Sequence, residues 1–534
     1  MMNKNSIPLV VGVTGHRAIR EQDRPALYGA VKTELHKLQA LCPYSQLVML
    51  TSLAEGGDLL CADAAEDLAL PLIAALPMSV EQYEADFSDA GKERLRHHLA
   101  RAEQIFVAPY AEAEPPDGVS RDFLFRQAGI YVAAHSHILL ALWDGGPGTN
   151  AACGTAEAVD FALHGSYYPA SGVSLRSGSN EAVIHVFTPR GARTDEPAGT
   201  VRVLGEAEAM ADILEKTDEF NRLAGGVDVG TKTRLPETAS DDPCLNRTER
   251  ISLTAGSLSS RYAEQYRRIL ALLAVASGLL TFAFLMYDEA QAYWMILVCG
   301  LMLLGAWACQ RFASRSDCHR RYIEYRALAE CLRVQTYLRY AGSRIQASEL
   351  LSWSQQEETA WILDALCAME IGEPPGTTHD IRVCWVEAQR DYHREAGKGA
   401  GQKLTASDRT VHTALMLSVA LYLGAVGFEL LCGGLIFHPA FLVPNVELWR
   451  TVLKILLGTI SAVTLFIANY YGRMSLPRAS SDHQKMERFY EKMSAQLKQQ
   501  GQTEELLQML AREELIENGN WSSYQRDNTP DISL

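Results

Sequence analysis

The stretch Pro8–Arg17, PLVVGVTGHR, opens with an apolar run and ends in a turn where glycine precedes a histidine and an arginine. The run is too short to cross a bilayer and lacks the alternation of a half-solvated strand. It therefore reads as a β-strand buried on both faces of a parallel sheet. The pattern recurs: Gln46–Leu53, Pro71–Leu76, Gln104–Ala108, His137–Trp143 and Ala182–Phe187 read as strands, and Pro25–Leu41, Asp58–Leu68 and Thr155–Leu163 as helices among them. This alternation predicts an α/β, Rossmann-like, doubly wound sheet over residues 1–225. In such sheets ligands bind beyond the carboxyl ends of the strands, where strand order reverses.

Three strand ends combine glycine with polar or charged residues. The first carries Gly12, Thr14, Gly15, His16 and Arg17. The second carries Glu55, Gly56, Gly57 and Asp58. The fifth carries Asp144, Gly145 and Gly146, after which Gly154, Thr155 and Glu157 open a helix. Glycine admits close backbone approach to phosphate, and a helix amino terminus offers unpaired N–H groups and a positive dipole end. Three such loops at one sheet edge suit a nucleotide ligand, whose identity the residues leave open. G-x-G-x-x-G and G-x-x-x-x-G-K-[ST] are both absent, which disfavours a standard dinucleotide fold or a P-loop ATPase. Arg17 is the expected phosphate contact, because a guanidinium matches phosphate geometry. His16 reads equally as a ligand contact, a core histidine or a titratable switch. Glu55 and Asp58 read as ribose-hydroxyl acceptors or helix caps, Asp58 as an N-cap. Arg121 and Arg126 lie close enough in sequence to reach the site.

Basic residues number 49 against 64 acidic, a net charge of −15 that disfavours nucleic acid as a partner. The eleven cysteines form no C-x-x-C pair, so neither a zinc ribbon nor a disulfide framework is expected. No metal site is expected either: His97–His98 and His135/His137 have no carboxylate or cysteine at ligand spacing. Met1–Ile7 is polar, and no signal peptide is expected.

Four later runs, Ile269–Tyr287, Ala292–Cys309, Thr413–Phe437 and Val452–Tyr471, are each long and apolar enough to span a bilayer. Basic residues flank their outer limits: Arg261, Arg267 and Arg268 precede the first, and Arg311, Arg315, Arg320 and Arg321 follow the second. The short link Asp288–Gln291 has none, and the link between the third and fourth offers Arg450 alone. This distribution predicts a multi-pass inner-membrane protein with both termini cytoplasmic. Glu429 and Lys454, the single charges in spans three and four, read as a pore or gate pair or as a pair fixing hairpin packing. Gly424, Gly427, Gly433 and Gly434 would admit close helix approach. Four spans hardly enclose a hydrated channel, so a conducting form would be a homo-oligomer. Arg320–Arg339 and Ser481–Ala511 read as long cytoplasmic helices. The expected divisions are a nucleotide-binding domain at 1–225, a linker at 226–250, a first hairpin with its helices at 251–400 and a second at 401–534.

Together, TGHR, the segment SLAEGGDLLCADA and WDG…GTAE resemble the SLOG superfamily over roughly Pro8–Pro189. That group includes DprA-like proteins, LOG cytokinin-activating enzymes and the amino-terminal region of TRPM channels. The following hairpin, RRYIEYRALAE at Arg320–Glu330, WVEAQRDY at Trp385–Tyr392 and the second hairpin resemble the SLATT effector domain of bacterial conflict systems. The resemblance implies a nucleotide sensor, with an NAD- or ADP-ribose-derived molecule as the expected signal, that gates a membrane pore in antiphage defence, with no catalytic cofactor. It also implies, as the alternative, a LOG-type nucleotide N-glycosidase; a membrane scaffold without ligand is a third reading. LOG enzymes use P-G-G-x-G-T-x-x-E. Here Glu157 falls one position early, a rotation of about 100° on a helix, which counts against hydrolysis.

Overall fold

The computed structural model describes residues 5–112, 114, 118–147, 154–164, 166–167, 174–175, 182–191, 193–230, 233–236, 242–373, 378–431, 445–473 and 476–527. Gly433 and Gly434 lie outside the described residues. The first two-fifths runs β1 (Leu9–Gly15), α1 (Arg24–Leu41), β2 (Leu47–Thr51), α2 (Gly57–Asp67), β3 (Leu72–Leu76), α3 (Val80–Tyr83), α4 (Asp89–Arg101), β4 (Gln104–Val107), α5 (Arg121–Ala134), β5 (Ile138–Trp143), α6 (Thr155–His164), β6 (Ser166–Tyr167), β7 (Ser174–Leu175), β8 (Val183–Phe187), β9 (Val201–Leu204) and α7 (Ala207–Ala224). The rest of the chain is helical: α8 (Pro243–Asp288), α9 (Met295–Ser316), α10 (Cys318–Tyr340), α11 (Ala347–Leu350), α12 (Trp353–Glu358), α13 (Ala360–Met369), α14 (Ala388–Leu431), α15 (Val446–Arg473), α16 (Leu476–Gln500) and α17 (Glu504–Asp527).

The main sheet has the order β4-β3-β2-β1-β5-β8-β9. Its neighbours are parallel except β9, which returns antiparallel to β8. Successive β1 residues face opposite sides. Leu9, Val11 and Val13 pack under α1, α2 and α4, against Leu27, Val31, Leu59 and Leu95. Val10, with Leu50, Leu139 and Ala141, packs under α5 and α6 against Ile130, Val132 and Val159, and Ala368 and Ile371 extend this second layer. Apolar burial on both faces is what near-continuous apolar strands require. Strand order reverses between β1 and β5, which places the ligand crevice of a doubly wound sheet there.

The chain forms two compact units: one comprises the residues through Leu258 with Glu324–Ile381 and Gln502–Ser522; the other Ser259–Ile323, Arg382–Gly501 and the residues from Ser523. The boundaries expected at 226–250 and 400 are not those of the units. Glu324–Ile381 joins the sheet unit because its helices are too apolar to stand alone. In α13, Trp361, Ile362, Leu363, Leu366 and Met369 are all buried. Trp361 meets Phe220 of α7 and Tyr325 of α10 at ring-centroid distances of 6.3 and 6.2 Å, and its indole N–H donates to Glu324 at 3.1 Å. From the carboxyl end, Glu514 of α17 pairs with Arg333 of α10, and Arg326 stacks on Trp521 at 3.9 Å.

Within the second unit, α8, α9, α14 and α15 carry the segments long and apolar enough to cross a membrane, with at most 11% of any such window buried. Leu272, Val275, Leu297, Leu301, Leu304, Trp307, Leu417 and Leu423 are exposed, an arrangement that water penalises and hydrocarbon does not. Gly424 and Gly427 face open space rather than a neighbouring helix. The close approach falls instead between α8 and α15, where a Cβ on Gly458 would lie 2.8 Å from Leu285 Cδ1 and one on Gly278 3.5 Å from Val463. The segment Arg320–Arg339 lies in α10, separated from α9 by the left-handed Asp317 (φ 49°).

The amino end of β1 is held by a side chain from α7. Asn221 Oδ1 accepts the Ile7 N–H at 2.8 Å, while its Nδ2 donates to the Ile7 carbonyl at 2.9 Å, so the amide stands in for a strand partner. Asn221→Ala strips both bonds from a buried backbone and should cost about 2–4 kcal/mol. A lowered melting temperature of the detergent-solubilised protein tests this, and an unchanged one would show that water replaces the amide.

Candidate functional site

The loops after β1, β2 and β5 meet at the switch point around a cleft of about 430 Å³, within the usual range for small-ligand sites. Their contact is backbone against backbone. A Cβ on Gly15 would lie 2.8 Å from Gly57 Cα, and the Gly57 N–H donates to the His16 carbonyl at 2.9 Å. Gly56, at φ 103°, passes under the Arg17 and His16 carbonyls, where a side chain would collide. Gly12 packs on Ser136 beneath β1. The same loop holds Leu53 at φ 54°, a conformation a branched side chain adopts only when its surroundings impose it. Its N–H is held at 3.0 Å by Thr51 Oγ1.

Of the residues expected at the site, Thr14, Gly15, His16, Arg17, Asp58, Asp144, Gly146, Gly154, Thr155 and Glu157 line the cleft. Gly12, Glu55, Gly56, Gly57 and Gly145 do not. The glycines of the first two loops serve loop-to-loop packing, and Glu55 accepts from the Ser88 N–H (3.1 Å) and hydroxyl at the start of α4. The N-cap of α2 is Gly56 rather than Asp58. Asp58 turns back from the first turn of α2 to accept from Thr51 Oγ1 (3.1 Å) and the Ala54 N–H (3.3 Å). Burial pushes its carboxyl up to about 7, against the lowering effect of these donors and of Arg17.

His16 is buried, and its Nε2 accepts the Asp144 N–H at 3.1 Å. Burial lowers its pKa despite the Asp144 carboxylate at 3.3 Å, so the ring is neutral and carries its proton on Nδ1. Burial alone would raise the Asp144 carboxyl. The Gly146 N–H, His16 and Arg193 outweigh it and hold Asp144 below the ordinary carboxylate range.

Arg17 is exposed at the mouth, 4.6 Å over the Phe125 ring and beside the Tyr83 hydroxyl. Neither Arg17 nor Arg190, which also lines the cleft, has an ion-pair partner among the described residues. The first turn of α6, Gly154–Glu157, faces the same space and adds the positive end of a helix dipole. Arg126 also lines the cleft, but it pairs with Glu112 at 2.9 Å and with Glu157, whose other oxygen is buried with no hydrogen-bond partner among the described residues. Arg121 pairs with Asp86 outside the cleft. The strand-end reading missed Arg190, which follows β8, and Tyr83 and Phe125 on α3 and α5. Extending that rule to every parallel strand would have reached Arg190.

In the membrane unit, Glu429 and Lys454 do not pair with each other. Arg450 holds Glu429 through two hydrogen bonds of 2.7 and 2.8 Å, and Lys454 reaches Glu289 in the first hairpin link at 2.9 Å. Glu429 is two residues from the end of α14 and Arg450 is in the first turns of α15, so these charges gather where the helices end. A satisfied bidentate pair at that level fits hairpin packing better than a bare gate charge.

Compared with family models and with curated proteins, the chain matches none.

Two outcomes are expected. Between about pH 4 and 7 folded Asp58 retains a proton that the unfolded chain, at 3.8, has released, so its stabilising contribution falls as pH rises through that window. Asp58→Asn should match the wild-type melting temperature near pH 4.5 and exceed it at pH 8, a relative change on the order of 3 kcal/mol. Parallel pH profiles would place a normal carboxyl there. In the hairpin, Glu429→Arg and Arg450→Glu should each lower the melting temperature and the double exchange should restore it; non-restoration would show that the pair does not join the helices.

Proposed function

We propose that the chain is a nucleotide-sensing membrane effector, in which the sheet unit binds a nucleotide signal and the apolar helices form an oligomeric pore that it gates. The observation that carries this reading is the convergence of three glycine-bearing strand ends on one cleft at the switch point, with Arg17 and Arg190 lacking an ion-pair partner among the described residues and the α6 amino terminus facing in. Guanidinium groups beside a helix amino terminus favour a phosphorylated ligand. The resemblance to SLOG and SLATT proteins adds an NAD- or ADP-ribose-derived signal, an inner membrane and antiphage defence. Both α8 and α10 contribute residues to the two units, so a shift in one helix is felt in both. The basic flanks of the spans support a cytoplasmic position of both termini, and a conducting form would need several chains.

A second reading, N-glycosidic cleavage of the nucleotide, draws support from Glu157. Despite its displaced position in the motif it lines the cleft, with one carboxylate oxygen on Arg126 and the other buried with no hydrogen-bond partner among the described residues. That oxygen is placed to accept from a ribose hydroxyl or a water.

The test is incubation of the detergent-solubilised protein with NAD, ADP-ribose and cyclic oligonucleotides, read by thermal shift and by mass spectrometry. A stabilising ligand recovered intact supports the sensor, a cleaved one the glycosidase, and no shift with any of them the scaffold. Arg17→Ala should weaken the response at least about tenfold, the loss of one charge-assisted contact, while leaving membrane insertion intact. Unchanged affinity would remove Arg17 from the site.

A further inference from the structure

Away from the cleft, the last turns of α2 and α4 bring four groups together that local sequence spacing keeps apart: Asp63 and Glu66 from α2, His97 and His98 from α4. The carboxylates that local sequence spacing does not supply to these histidines come instead from another helix. His98 Nε2 lies 2.8 Å from Asp63 Oδ1. A carboxylate only accepts, so Nε2 carries a hydrogen, and the other ring nitrogen, Nδ1, faces Glu66 Oε2 at 3.8 Å. His97 Nε2 lies 2.8 Å from that same oxygen, and Glu66, His97 and His98 each offer a ligand atom within 4.8 Å of the other two. Glu66 Oε1 is taken by Arg101 at 3.2 Å, which turns Oε2 toward the imidazoles.

We propose that Glu66 Oε2, His97 Nε2 and His98 Nδ1 form a three-ligand site for a zinc-class divalent ion, with Asp63 as the positioning residue that fixes the His98 tautomer. Tetrahedral coordination at zinc–ligand distances near 2.0–2.1 Å needs ligand atoms about 3.3 Å apart; the separations of 2.8 and 3.8 Å bracket that value. Two imidazole nitrogens with one carboxylate oxygen suit a borderline ion, whereas magnesium and calcium prefer oxygen sets. The Asp63–His98 pair is the carboxylate–histidine arrangement that orients metal-bound imidazoles. His98 is 2% exposed and His97 54%, so one ligand is fixed by packing, the other closes from solvent, and the fourth position stays open to water. Binding takes the Nε2 position of His97, and the proton of the neutral ring moves to Nδ1 through solvent, so the ring stays neutral. An occupied site pins α4 to the end of α2, the helix whose first turn carries Asp58.

The experiment uses the full-length protein in detergent, stripped by chelator and titrated with Zn²⁺ and with Co²⁺. Bound metal is read by elemental analysis and the cobalt geometry by visible absorption. Wild-type protein should take up about one equivalent with the intense bands of four-coordinate cobalt. His97→Ala, at an exposed position, and Glu66→Gln should each weaken binding at least about tenfold, and His36→Ala, at an exposed histidine of α1, should leave it unchanged. Asp63→Asn should weaken it about 10–100-fold, with Asp63→Glu restoring most of the loss. Failure of the wild type to bind, or wild-type affinity in both His97→Ala and Glu66→Gln, overturns the site.

Discussion

His16 ties three strand ends to one another. Its amide donates to the Leu142 carbonyl of β5 at 3.0 Å, its carbonyl accepts from Gly57 at the start of α2, and its ring accepts from the Asp144 N–H beyond β5. The three bonds close only because Gly15 and Gly57 have no side chains to hold their backbones apart. Every wall of the cleft follows from that junction. Arg17 leaves it over Phe125, Asp58 turns back beneath it, and Asp144 is held beside it. A ligand drawn to Arg17 and Arg190 would thus press on a joint shared by β1, β2 and β5 rather than on a surface loop.

The inner strands were legible because parallel strands buried on both faces are written as continuous apolar runs; all six that the sequence shows are present, β4 at the sheet edge with three of its four residues exposed. β9 was not: Val201–Leu204, VRVL, alternates at a sheet edge and resembles a short turn-flanked stretch of loop. The site was legible as a place, since strand ends with glycine and charge are where a doubly wound sheet binds. The division of labour within it was not. A glycine shows that a Cβ is missing and not what that Cβ would have met. Gly12, Gly56 and Gly57 were therefore read as phosphate approaches when backbone and Ser136 occupy the space. Long-range partners were equally hidden, as with Arg450 for Glu429 and the carboxylates of α2 for the histidines of α4.

In the second unit the same balance of size and charge recurs under a different solvent. Where hydrocarbon rather than water surrounds the helices, apolar side chains gain nothing by meeting one another, and association rests on fit and on polar contacts. Gly458 under Leu285 and Gly278 beside Val463 supply fit along α8 and α15. Glu429–Arg450 and Lys454–Glu289 supply polar contacts where the helices end. The exposed apolar residues between them face outward, as a lipid-facing surface requires.

The path of the chain also bears on how this protein can be taken apart. It passes from one unit to the other five times, after Leu258, Ile323, Ile381, Gly501 and Ser522. No single cut therefore yields a complete sheet unit and a complete helical unit. Removing the residues after Gly501 would take Glu514 from Arg333 and Trp521 from Arg326, wounding the unit that begins five hundred residues earlier. Recombination that joined one segment to another would leave both units with missing helices. The sheet unit and the helical unit of this architecture are inherited together.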